Sequence, residues 1–367
     1  MLGIYIHIPF CKSKCPYCDF YSLSSDEISI DRYTDAVIGE IRKKGKTVTE
    51  QVDTVYFGGG TPSVIGGERI VRILDAVKES FSLVYPEITV ECNPSSTSFE
   101  FYSTLAAAGV NRISIGMQSA VDEERRLLGR TADRKRVKQS ISDAREAGID
   151  NISVDLMLGI PMQTPESLLA SVMFIRQQDI DHISAYMLKI EEGTHFYKHP
   201  EKLRNLPDED AVCDMYLQLT EYMEKTGYRQ YEISNYAKPG KKSRHNLKYW
   251  RDEEYLGFGP AAHSFYNGKR YFFERDFEKY IENPVPVDDG SGGDKKEYVM
   301  LGLRLTDGIH FGEYKEKYGE DIPEKFKEKA REFEKFDLLR LTENSVSLTK
   351  EGFLISNTII GALVETL

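Results

Sequence analysis

The 367-residue chain is 40% hydrophobic and 29% charged, with 28 Gly, 14 Pro and no low-complexity tract, which excludes disorder as its main state. Its 48 Lys and Arg against 59 Asp and Glu give a formal charge of −11, which argues against nucleic acid as a partner. Apolar runs such as Ile152 to Ile160, broken by Asp155, fall far short of the roughly 18–20 residues that cross a bilayer, so membrane insertion is excluded and peripheral contact is left open.

The apolar start, Met1–Phe10, has no basic n-region and no small-residue cleavage site, and Phe10 is too bulky to precede a lipidated cysteine. An intact cytoplasmic N-terminus is expected. From residue 4 to 190 a β-branched run, a Gly, Pro or Ser, and an amphipathic stretch alternate. Strands are predicted at Ile4–Pro9, Thr54–Phe57, Ile88–Glu91, Arg112–Gly116, Ile152–Leu158 and His182–Leu188. Helices are predicted at Arg32–Lys44, Glu68–Phe81, Phe99–Ala108, Lys135–Ala147 and Pro165–Gln177, with Asp31, Ser98 and Thr164 as cap candidates. That is a (βα)6 unit with a parallel sheet, open or barrel-like. Beyond it lie a helix near Asp208–Lys225, an aromatic-rich region from Tyr228 to Tyr280, and a Gly-rich charged stretch, Asp288–Lys296, that reads as a linker. Helical stretches at Lys296–Leu303 and Pro323–Phe336, with β-like runs around Leu341 and Val346, suggest a small winged-helix-like end. The expected units are a 1–190 core, a 191–290 α+β extension lining a substrate pocket, and a 291–367 appendage.

The chain has five cysteines, an odd number and no disulfide framework. Cys92 and Cys213 lack metal spacing and are expected to be small core residues. Cys11, Cys15 and Cys18 stand at C-x3-C-x2-C directly after the first strand, where ligand sites form in parallel sheets. Three thiolates suit a 4Fe-4S cluster with one iron left open, whereas zinc needs a fourth donor such as Asp19 or His7. Gly58-Gly59-Gly60-Thr61-Pro62 ends the second strand, Glu91 the third and Gln118 the fourth; Arg130 follows in Leu127-Leu128-Gly129-Arg130. Asp155, within the apolar fifth strand, is costly to bury unless paired, and should face a ligand.

The cysteine spacing, with Tyr17 ahead of the third cysteine, resembles the radical S-adenosyl-L-methionine (SAM) superfamily. The string from Tyr5 to Phe20 resembles the oxygen-independent coproporphyrinogen III oxidases and their haem-chaperone relatives. The resemblance spans nearly the whole chain and implies a partial (βα)6 TIM-like barrel. It implies that Cys11, Cys15 and Cys18 hold the cluster, that Gly59, Gly60 and Thr61 line the amino-acid moiety of SAM, that Glu91, Gln118, Arg130 and Asp155 contact SAM, and that Tyr5 lies near it. Arg244-His245-Asn246-Leu247-Lys248-Tyr249-Trp250 resembles the H-N-x-x-Y-W motif that the chaperone branch associates with haem; the plainer reading is a loop whose aromatics pack on the barrel. His263 is a second candidate near the same pocket. Two departures separate the chain from the oxidases: Phe20 stands where they carry a fourth cysteine, and few residues precede Tyr5. The resemblance therefore implies a chaperone that carries haem as cargo and delivers it to recipient haem proteins. The alternatives are oxidative decarboxylation of coproporphyrinogen III and another radical SAM reaction such as methyl transfer.

Overall fold

The computed structural model describes residues 1–24 and 26–367. The predicted strands and helices are present: β1 (Leu2–Ile8), α1 (Glu27–Gly45), β2 (Val52–Gly59), α2 (Gly67–Ser80), β3 (Leu83–Cys92), α3 (Phe99–Ala107), β4 (Arg112–Gln118), a short α4 (Asp122–Leu127), α5 (Arg134–Glu146), β5 (Asn151–Leu158), α6 (Pro165–Gln177) and β6 (His182–Met187). Ser98 and Thr164 cap α3 and α6 as expected, each accepting a backbone N–H of the first turn. The first helix begins earlier than predicted. Its cap is Asp26, and Asp31 lies inside the helix, paired with Arg69.

Period-two alternation sorts the strand side chains. Ile4, Ile6 and Ile8 of β1, Val55 and Phe57 of β2, Ile113 and Ile115 of β4, and Ile152, Val154 and Leu156 of β5 are essentially inaccessible and pack toward the helices. Burying each such side chain stabilises the fold by about 1.5–3 kcal/mol. The intervening residues are Gly3, Tyr5 and His7; Thr54, Tyr56 and Gly58; Arg112, Ser114 and Gly116; Ser153 and Asp155; and His182, Ser184 and Tyr186. These face one another across a polar lumen, which explains how parallel strands tolerate them.

After β6 come α7 (Glu209–Lys225), β7 (Arg229–Gln230), β8 (Asn235–Ala237), α8 (Arg244–Trp250), β9 (Tyr255–Phe258), β10 (His263–Tyr266), β11 (Lys269–Phe272) and β12 (Val287–Ser291). One twelve-stranded sheet runs in the order β12-β11-β10-β9-β1-β2-β3-β4-β5-β6-β8-β7. It curls as a partial barrel and does not close. β9 pairs parallel with β1, and β8 pairs antiparallel with β6. The stretch read as a linker is in part β12, an exposed edge strand against β11. Charged and Gly-rich sequence suits an edge, where it discourages further pairing. The C-terminal end comprises α9 (Lys295–Gly302), β13 (Ile309–His310), α10 (Phe311–Tyr318), α11 (Glu324–Glu334), β14 (Leu339–Leu341), β15 (Ser345–Leu348), α12 (Lys350–Leu354) and α13 (Ser356–Val364). Its three-stranded antiparallel sheet, ordered β13-β15-β14, fits the winged-helix-like expectation. Among the described residues no helix is long and apolar enough to cross a membrane. Cys92 is buried, whereas Cys213 is half-exposed on α7, so the core expectation holds for the first and not for the second.

Candidate functional site

The residues predicted for the cluster and SAM gather toward the C-terminal ends of the parallel strands. Cys11 closes a two-residue parallel pairing of Phe10–Cys11 with Leu23–Ser24, and the Cys18 N–H donates to the Cys15 carbonyl at 3.1 Å. The glycine loop after β2 docks directly on β1: Gly60 N–H donates to Ile8 O and Thr61 N–H to Phe10 O, both at 2.8 Å. A Cβ at Gly60 would stand 2.7 Å from those same carbonyls, and at Gly59, φ +103°, it would enter the His7 ring at 2.5 Å. Close approach thus requires both glycines. The dock brings Thr61 Oγ1 within 3.3 Å of Cys11 Sγ.

Two carboxyls project into the lumen. Tyr56 donates to Glu91 at 2.8 Å, and Ser114 donates to Asp155 at 3.0 Å. Burial lifts Glu91 to about 7, with the charge of Asp155 adding and the Tyr56 hydrogen bond opposing. Burial likewise lifts Asp155 to about 6, opposed by Ser114 and by Arg130. On the far wall a register shift in the β4–β5 pairing accompanies a left-handed Gln118, φ +71°. The Gln118 amide and the Arg130 guanidinium converge over Gly116, where a Cβ would lie 3.4 and 3.6 Å from them. Arg130 donates to the Tyr17 hydroxyl at 2.8 Å, joining this wall to the cysteine loop, and its buried Nε has no partner.

Both candidates for zinc's fourth donor are committed elsewhere. His7 Nε2 reaches Tyr21 O at 3.1 Å, so Nε2 donates and Nδ1 accepts from the Tyr5 hydroxyl at 3.1 Å; burial lowers its pKa to about 4. Asp19 is exposed and faces Arg275. Among the described residues no three Cys, His, Asp or Glu side chains converge as one bare ion would require. A cubane suits this loop better, because its thiolates bind separate irons. The free cysteines, the orphaned Arg130 Nε and the buried carboxyls fit a 4Fe-4S cluster with a zwitterionic ligand beside it.

The H-N-x-x-Y-W segment lies at the other end of the barrel. It forms α8, capped by Ser243 and by Glu87, whose carboxylate accepts from the Arg244 and His245 N–H groups at 2.9 and 3.2 Å. His245 is 1% exposed and sits against Gly3 and Thr54, near the start of β1 and β2. Its Nδ1 bonds Thr54 Oγ1 at 2.8 Å and its Nε2 bonds the Tyr249 hydroxyl at 2.9 Å. The ring stacks on Tyr56 with centroids 5.2 Å apart. Burial lowers its pKa to about 3. Trp250 packs with Tyr231, Leu247 and Leu305 and under Arg304, tying the barrel floor to the C-terminal end. His263 does not share that pocket: β9 runs parallel to β1, with Phe258 opposite Ile6, so the turn before His263 lies at the cysteine end, and His263 is exposed there, stacked on Phe272. The lumen residues Tyr56, Ser114, Arg112 and Tyr186 escaped the sequence reading. Their signal was available as polar residues at every second position of strands otherwise rich in Ile and Val.

Residues 5–175 match the Radical SAM superfamily, and residues 296–355 match the HemN C-terminal domain. The chain is 36% identical to the "Heme chaperone HemW" of Bacillus subtilis (strain 168), with 100% of both chains covered. It is 38% identical to the "Heme chaperone HemW" of Escherichia coli (strain K12) over 71% of this chain and 69% of that one. In fold it resembles the coproporphyrinogen III oxidase HemN of Escherichia coli, with a TM-score of 0.85 at 21% identity, covering 100% of this chain and 90% of the other. The chain belongs to the radical SAM superfamily and, within it, to the HemW family.

Proposed function

We propose that this chain is a haem chaperone that binds haem as cargo and passes it to recipient haem proteins, on a barrel equipped for a 4Fe-4S cluster and SAM. The observation that carries this reading is the whole-length match to a protein named as a haem chaperone. The exposed Phe20, in place of the fourth cysteine that the oxidases resemble one another in carrying, supports it. Cys11, Cys15 and Cys18 would hold the cluster. When bound, the cluster and SAM would supply one-electron chemistry. Around them, the residues of this chain bind and orient. Arg130 offers a guanidinium fixed by Tyr17 for a carboxylate, and Gln118 adds an amide beside it. Glu91 and Asp155 offer acceptors to ammonium or ribose hydroxyls, and Gly59, Gly60 and Thr61 give a wall with no bulk above the cysteines. Tyr5 holds His7, which holds the returning loop at Tyr21. The three units 1–190, 191–290 and 291–367 remain our division of the chain, supported at its last boundary by the match beginning at residue 296.

The test is anaerobic. Protein with a reconstituted cluster is mixed with SAM, reductant and coproporphyrinogen III, and decarboxylated porphyrinogen is measured by mass spectrometry alongside haem transfer to an apo-cytochrome. Haem transfer without decarboxylation is expected. Multiple SAM-dependent turnovers to decarboxylated product would establish the oxidase instead.

A further inference from the structure

Beside the cysteine loop, a cleft of about 730 Å³ opens between residues 14–18, Arg126–Gly129 and the segment 193–202. Its volume lies within the about 300–1,000 Å³ typical of small-ligand sites. Pro16 and Leu127 give it apolar surface, and Phe196, in its wall, belongs to a separate hydrophobic cluster with Leu128, Met157 and Ile160. Lys14, Arg126 and Lys202 line it with positive charge, and among the described residues no carboxylate does. In a chain of net charge −11 this is a local inversion of sign.

His195 stands in the wall, exposed, at the start of the helical turn His195–Lys198. The turn is fixed to the cysteine loop by the Phe196 N–H, which donates to Pro16 O at 2.9 Å. Lys202 Nζ lies 2.7 Å from His195 Nε2. An ammonium only donates, so Nε2 carries the lone pair and Nδ1 the proton. His199 packs against the ring with centroids 4.2 Å apart. Lost hydration, and then the charge of Lys202, hold His195 below the ordinary histidine pKa, which favours the neutral imidazole.

Haem presents an iron that takes a neutral imidazole, a flat apolar ring and two carboxylates. His245 is 1% exposed, and each nitrogen already has a partner, Thr54 on Nδ1 and Tyr249 on Nε2, so it cannot meet the iron without giving up one of them and opening the barrel floor around the ring. We propose that the cleft beside the cysteine loop holds the haem, with His195 on the iron, Pro16 and Leu127 against the macrocycle, and Lys14, Arg126 and Lys202 toward the propionates. This rests on the haem-chaperone reading above. On binding, Lys202 exchanges His195 for a propionate, which frees Nε2 with no proton released. Cys15 and Cys18 line the same cleft, so the cargo borders the cluster loop. A ligand on an exposed turn also suits a cargo that must leave.

The experiment is a haem titration of the cluster-loaded full-length protein by Soret difference absorbance, with resonance Raman of the iron–histidine mode. His195→Ala/His199→Ala removes both imidazoles, and Lys14→Ala/Arg126→Ala removes two cations. The double histidine variant is expected to shift the Soret band and weaken binding roughly tenfold or more, with added imidazole restoring the band. The cation variant should weaken binding about three- to fivefold per charge without moving the band. His245→Gln should keep the wild-type spectrum in its folded fraction, measured by circular dichroism. If the double histidine variant binds haem with wild-type affinity and spectrum, the site is wrong and the chaperone reading stands. If the wild-type protein shows no saturable haem binding, the chaperone reading fails and the site with it.

Discussion

Replacing His245 with alanine separates a structural plug from a haem ligand. The imidazole is 1% exposed and satisfies Thr54 Oγ1 at 2.8 Å and the Tyr249 hydroxyl at 2.9 Å. Its loss strands two buried hydroxyls, each costing about 1–3 kcal/mol. It also opens a cavity beneath Tyr56, and large-to-small changes in a core cost about 2–5 kcal/mol. The two effects overlap, so a combined loss of about 3–5 kcal/mol is expected, a large part of the roughly 5–15 kcal/mol that stabilises a typical domain. The loss should depend on pH. His245 titrates near 3 in the folded chain against an ordinary 6.5. Below about 6.5 the unfolded chain takes up a proton that the folded chain refuses, so the contribution of His245 is complete above that value and declines as pH falls toward 3. Urea unfolding followed by the fluorescence of Trp250, which lies in the same helix and is the single tryptophan, gives both numbers. The gap between wild type and variant should be widest at pH 7 and narrow by pH 4. A variant within about 1 kcal/mol of wild type at pH 7 that has lost haem binding would refute the plug and restore His245 as a ligand.

Three further outcomes follow from the site. Glu91 is held up at about 7 against an ordinary 4.5, so its contribution to stability is present below 4.5 and lost as pH rises through 7; Glu91→Gln should therefore stabilise the cluster-free protein by on the order of 2 kcal/mol at pH 8 and by little at pH 5, by calorimetry. Gly59→Ala places a methyl in the His7 ring at φ +103° and should cost about 2 kcal/mol or more in urea unfolding, while reducing the iron retained after reconstitution; an unperturbed variant would mean that the loop does not dock as described. Single serine substitutions at Cys11, Cys15 and Cys18 should each abolish bound iron and acid-labile sulfide, whereas Cys213→Ser should leave both unchanged, measured by colorimetric assay.

Much of the site was legible because strand-end chemistry is local. The thiols, the glycine loop, Glu91, Gln118 and Asp155 each sit a fixed step along a strand, so once the strands are placed the residues converge. Burial partners are not local. His245 meets Thr54 across 191 residues of sequence, and no pattern within Arg244–Trp250 shows that both of its nitrogens are taken. Separation in sequence also hid Tyr56 under Glu91, 35 residues apart, and Arg130 against Tyr17, 113 residues apart. The edge strand β12 escaped because Gly290 and its neighbouring acids look alike in a linker and at a sheet margin. Asp31 was mistaken for a cap because the helix runs back over a turn of Ile28, Ser29 and Ile30 that carries little apolar rhythm.

The pairing of β9 with β1 bears on how the chain is made. Until Tyr255–Phe258 have left the ribosome, the N-terminal strand has one bare side, and the lumen has no floor before Arg244–Trp250 arrive. The nascent barrel must therefore wait, with a row of unmatched backbone groups along Leu2–Ile8, until Tyr255–Phe258 are made, about 250 residues later. Polar residues on the inward side of β1 and the following strands make that interval tolerable, since what is left uncovered beneath is Gly3, Tyr5, Thr54 and Arg112 and not aliphatic surface. The interior that later receives ligands thus also protects the half-made molecule from self-association.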